Sequence, residues 1–189
     1  MKIQKENLSM PRKLLILIHM YIAAFLAPAL ILVGLSGGFY LSGYKGETVK
    51  TPVELPAGTM LDFSADNLEE NVRDLLSQLD PDFKFEYVKN RGTHIQTRPT
   101  SRTHYEMAIK DGQLSAAQVK PNFQSVMIEL HKGHGPKAFK TYQKFAAIGL
   151  LLIVFGGLWV GLASRVYRKK TLITTAGGLV VFVLLGFML

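Results

Sequence analysis

The chain has 189 residues, a formal net charge of +8, 48% hydrophobic residues and no cysteine. The missing cysteine excludes disulfides, thiolate metal sites and covalent haem attachment through Cys-x-x-Cys-His. The charge is local: Lys2, Lys5, Arg12 and Lys13 oppose Glu6 alone in 1–13, Arg165, Arg168, Lys169 and Lys170 crowd 165–170, and 42–144 is close to neutral. The excess therefore flanks apolar runs, and nucleic acid is not an expected partner.

The first element is the uncharged run Leu14–Leu41. At about 1.5 Å rise per residue, a helix of that length outspans the roughly 30 Å hydrocarbon core of a bilayer. It is predicted as the first transmembrane helix, 14–42, after a basic cytoplasmic N-terminus, 1–13. Ala27-Pro28-Ala29 offers small residues for cleavage, but a signal-peptide apolar region is usually about 7–15 residues long, so the run reads as an uncleaved anchor. Pro28 is expected to kink it. Gly34, Gly38 and Ser42 follow at four-residue spacing, and Gly157 and Gly161 repeat that spacing later, so these faces are expected to contact another span, within the chain, in a partner protein or in a second copy. Tyr40 and Tyr44 read as interfacial anchors.

From 43 to 143 the chain reads as a small α+β domain. Lys45–Phe63, with Pro52, Pro56 and Gly58, reads as a linker or short extended segments. A helix follows, capped by Ser64 or Asp66, with Glu69 and Glu70 in its first turn and Leu68, Val72, Leu75, Leu76 and Leu79 at helical spacing, stopped by Pro81. Phe83–Val88 and His94–Thr97 alternate about Asn90-Arg91-Gly92, and Tyr105–Ile109 and Leu114–Val119 flank Asp111-Gly112. This predicts one helix and about four antiparallel strands, with a single sheet face to cover. A second helical pattern, Phe123–Leu130, breaks at His131–Pro136. Spans at 144–164 and 171–189 follow, joined by a turn at 165–170. The positive-inside bias puts the N-terminus and that turn in the cytoplasm and the domain outside it, as suits a bacterial inner (plasma) membrane.

Few residues carry chemistry. His19 is the one ionisable side chain within a span, and a neutral imidazole there has the chemistry of a haem b ligand. His131 and His134 are three residues apart, but Gly133, Gly135 and Pro136 favour a solvated loop over a metal site. They remain candidate haem ligands at the outer interface. His94 and His104 are expected to be exposed. Ser101, Ser115 and Ser125 lack a nucleophile-elbow context, and Asp80 and Asp82 read as turn residues about Pro81. The reading is therefore of a non-enzymatic membrane protein.

Three parts of the chain together resemble the PepSY-associated transmembrane family: His19 before a long apolar run into Gly34-Leu35-Ser36-Gly37, a helix with β-hairpins similar to a PepSY domain, and Leu130-His131-Lys132-Gly133 before a span ending Gly157-Leu158-Trp159. The chain departs from the family at Met20, where Arg is frequent, and at Gly156-Gly157, where Thr-Gly is frequent. The resemblance implies an accessory or regulatory subunit acting through its extracytoplasmic PepSY-like domain. It also implies an alternative, a haem-binding electron-transfer subunit related to siderophore-iron reductases.

Overall fold

The computed structural model describes residues 12–110 and 112–188. The chain divides into two compact units, 29–144 and the pair of segments 1–28 and 145–189.

Among the described residues three helices are long and apolar enough to cross a membrane: Lys13–Leu41, Lys137–Ala163 and Arg168–Met188. The first belongs to helix α1 (Arg12–Leu41), which runs unbroken through Pro28. In the unit of the spans, His19, Ile22 and Leu26 share one face of α1, since residues three and four apart stack on a helix. They meet helix α4 (Lys137–Ala163) at its glycines. A Cβ at Gly149 would collide with Leu26, and one at Gly156 or Gly157 would stand 3.4 Å from the His19 ring. The numbering descends on α4 as it ascends on α1, so the two pack antiparallel, and small residues permit the close approach. Gly161 is used similarly, because a Cβ there would lie 2.5 Å from the Thr171 hydroxyl on helix α5 (Arg168–Val183), whose last turns widen over Leu184–Met188. The third span begins within the stretch read as a turn, at Arg168.

The other unit is built on a five-stranded antiparallel sheet. Its strands are β1 (Thr48–Val53), β2 (Tyr87–Asn90), β3 (His94–Arg98), β4 (His104–Lys110) and β5 (Gln113–Pro121). They lie in the order β1-β5-β4-β3-β2. Strand β1 lies in Lys45–Phe63, read as a linker or short extended segments, and adds a fifth strand to the four expected. Its Pro52 is tolerated because β1 is an edge strand, where a missing N–H costs no pairing. The Asp111 part of the Asp111-Gly112 turn lies outside the described residues. Gly112 has the positive φ of 76° that such a turn requires.

Helix α2 (Leu68–Leu79) covers one sheet face. Leu68, Val72, Leu75 and Leu76 pack with Phe63, Phe85, Ile95, Tyr105, Met107 and Ala116 into the core. Full burial of each large aliphatic side chain contributes about 1.5–3 kcal/mol. The expected cap at Ser64 or Asp66 is not formed; Asn67 takes the N-cap position without a side-chain bond, and Glu69 instead pairs with Arg73 at 2.7 Å. Asp80 does more than turn the chain, since it accepts a hydrogen bond from the Tyr105 hydroxyl at 2.9 Å, while Gln118 donates to the same hydroxyl at 3.0 Å.

Two helices cover the sheet rather than one. Helix α3 (Phe123–His131) starts at Asn122, whose side chain accepts from the Ser125 N–H at 2.9 Å. It lies on the face opposite α2, where strand alternation presents Gln96 and Arg98, His104 and Glu106, Val119, and Lys50. Its position depends on Gly46, which has φ +75° and no room for a side chain: a Cβ there would lie 2.5 Å from the Ser125 backbone nitrogen. Gly46→Ala is expected to cost about 2 kcal/mol from left-handed backbone strain and displacement of α3. A lowered thermal midpoint of the detergent-solubilised protein checks this, and an unchanged midpoint contradicts it.

Candidate functional site

Beneath α3, on the polar face of the sheet, lies a cavity of about 410 Å³. Two carboxylates organise it. Glu129, on the last turn of α3, is tied to three elements. Its Oε2 accepts from the Thr100 hydroxyl at 2.5 Å and from His134 Nδ1 at 2.7 Å, and lies 3.9 Å from Arg98 Nη1, while Lys132 approaches Oε1 at 3.5 Å. Arg98 is only 4% exposed. It donates through Nη1 to Thr100 at 2.8 Å, which links Arg98, Thr100 and Glu129 in a relay ending at His134. Burial raises the Glu129 pKa, but Thr100, His134 and Lys132 outweigh it and hold the carboxyl below its ordinary value. Burial pushes the Arg98 pKa down, with Tyr87 and Glu129 opposing.

Glu106, on β4, is the second organiser. Lys50 reaches it across β5 at 2.5 Å, and Gln96, its register partner on β3, donates at 2.7 Å. His104 lies two residues before it on the same strand face, with Nε2 3.8 Å from Oε1, an ion-pair distance rather than a hydrogen bond. The nearby His104, followed by Lys50 and Gln96, holds the Glu106 pKa down at about 2 against the opposing effect of burial. His104 Nδ1 lies 2.9 Å from the Arg102 carbonyl, which only accepts, so Nδ1 carries a proton, and Nε2 supports the Glu106 carboxylate in the imidazolium form, where both nitrogens are protonated.

These positions revise the reading of the histidines. His104, expected to be exposed, is 4% exposed. His131, expected to be solvated, is exposed and also hydrogen-bonds the buried Ser36 hydroxyl through Nδ1 at 2.8 Å, whereas His134 is half-buried and bonds Glu129 through Nδ1. The two imidazoles therefore serve different partners. Among the described residues no group of three or more His, Asp or Glu side chains is arranged to hold a metal. In the unit of the spans His19 is the single histidine, half-buried against Gly156 and Gly157, with a buried Nδ1 that has no hydrogen-bond partner. Among the described residues the donors present do not form a two-histidine axial set for haem within either unit.

The sequence reading missed Arg98, Thr100, Glu106 and Glu129. The signal for Glu106 was the alternation His104-Tyr105-Glu106-Met107, which places two ionisable groups on the face opposite Tyr105 and Met107. Nothing comparable marks Arg98 or Glu129, which lie on separate elements far apart in sequence.

Three membrane-crossing helices joined to a sheet domain with a helix on each face define a multi-pass membrane protein carrying an α+β domain. The chain belongs to the PepSY_TM-like family, whose model matches residues 68–189, from α2 through the third span. No curated protein and no solved structure matches the chain.

Proposed function

We propose that this protein is a non-enzymatic accessory or regulatory subunit of a complex in the bacterial inner membrane, with its N-terminus in the cytoplasm and its sheet domain outside. The asymmetric use of small residues carries this reading. Gly157 and Gly161 face side chains of this chain, whereas a Cβ at Gly34 or Gly38 would meet nothing within 4 Å. A helix face free of side-chain bulk is suited to close packing with another membrane helix. The site supports the same reading, since Glu106 and Glu129 are both engaged in holding the polar face together.

The test is photo-crosslinking in native membranes from positions Gly34 and Gly38, with the exposed third-span position Phe182 as reference. Discrete protein adducts from Gly34 and Gly38, lost in a Gly34→Leu/Gly38→Leu variant probed from a neighbouring position on the same face, are expected. Adducts to lipid alone at all three positions would sink the reading. A reduced-minus-oxidised visible spectrum of the same preparation, expressed with haem supplied, tests the alternative of a haem-binding electron-transfer subunit. The subunit reading expects no haem bands; b-type bands that vanish in His19→Ala would replace it.

A further inference from the structure

The cavity beneath α3 holds more positive charge than its tethers use. Lys50 is committed to Glu106, and Lys132 to Glu129. Lys45 and Arg91 also line the cavity, and among the described residues neither pairs with a carboxylate. Lys45 instead stands 5.6 Å from the centre of the Tyr40 ring, with Lys132 5.5 Å from the same ring, so two ammonium groups gather beside one aromatic side chain. Inside, Arg98 is 4% exposed and its Nε is buried without a hydrogen-bond partner, an unmet donor on a guanidinium that lines the cavity. The carboxylates do little to oppose a further anion, because each is already surrounded by its own donors.

Location narrows the class of ligand. Tyr40 is the penultimate residue of the first membrane-crossing helix, Lys13–Leu41, so the cavity opens where that span ends. Phosphate groups of a bilayer lie at that depth, and basic side chains placed there are attracted to anionic head groups. A guanidinium fork with flanking ammonium groups matches the several acceptor oxygens of a phosphate ester.

We propose that this cavity is a binding site for a phosphate-ester oxyanion, presented by an anionic phospholipid head group or by a soluble phosphate compound. The assignment is independent of whether the protein serves as an accessory subunit.

The experiment uses the full chain and two probes, phosphatidylglycerol in nanodiscs measured against phosphatidylcholine, and inorganic phosphate added to the protein in neutral detergent. Lys45→Gln/Arg91→Gln removes the two uncommitted cations. Lys84→Gln/Lys89→Gln removes the same charge from exposed positions outside the cavity. Saturable retention of phosphatidylglycerol, weakened about tenfold in the cavity variant and less than about twofold in the control, supports the site with a lipid as its source. Phosphate binding lost in the cavity variant alone, without a preference for phosphatidylglycerol, supports the site with a soluble source. No binding of either probe, or equal weakening in both variants, overturns the proposal. Circular dichroism confirms that the cavity variant is folded, and Arg98→Lys, which keeps the charge and loses the fork, is expected to fall between it and the wild type.

Discussion

Glu129→Ala is expected to be among the most destabilising single substitutions in the extramembrane domain, at about 3 kcal/mol. The carboxylate accepts from Thr100 and His134 and faces Arg98 at 3.9 Å. Its removal strands a guanidinium that is only 4% exposed. An unpaired buried charge costs far more than a lost surface ion pair, which contributes at most about 1 kcal/mol. Strain should spread through α3, because Glu129 joins its last turn to Thr100 after β3 and to His134 before α4. Hydrogen exchange is expected to accelerate in α3 and in 98–104, with little change in α2. The double variant Arg98→Met/Glu129→Leu is expected to recover part of the loss, since it removes the stranded charge together with its partner. Equal destabilisation in the single and double variants would show that packing, and not charge, holds α3 in place.

Acid is expected to weaken the same domain through Glu106. Its pKa falls from 4.5 to about 2 on folding, so the unfolded chain binds the proton more readily. The resulting stability is fully present above the unfolded value and is lost as pH falls through about 2. At about 1.36 kcal/mol per unit, the swing is on the order of 3 kcal/mol. Glu129 shifts in the same direction and adds to the slope. Denaturant unfolding of the solubilised protein between pH 6 and 2, in the wild type and in Glu106→Gln, measures the effect. The variant should start less stable and show a flatter acid limb, whereas parallel limbs would remove Glu106 as the cause.

Much of the architecture was legible because it is written in periodicities. Uncharged runs of about bilayer length or more marked the spans, and the helical spacing of Leu68, Val72, Leu75 and Leu76 marked α2 with its buried face. Strand β1 was hidden by Pro52, which reads as a breaker until the strand is known to lie at an edge. The second covered face was hidden because polar side chains at strand positions read as solvent-facing. Here Gln96 and His104 gather on Glu106, and Arg98 and Thr100 on Glu129, beneath a helix, so the face is polar and enclosed together. Such a site depends on pairings between positions distant in sequence, and no local pattern records them. The packing partners of Gly156 and Gly157 were hidden for the same reason: the spacing marked Gly157 and Gly161 as small, but the His19 ring beside Gly157 becomes apparent only when α1 and α4 run antiparallel.

The strand order also sets a timetable. Strands β2, β3 and β4 each pair with their immediate successor, so each hairpin can close as soon as its second strand reaches the compartment where the domain folds. Strand β1 emerges before them all, yet pairs only with β5, the last of the five. It must wait through the synthesis of α2 and three other strands, tethered at one end to α1. During that interval its N–H and C=O groups are unpaired, and the Pro52 that disguised it as a linker also makes it a poor template for wrong pairing with another chain.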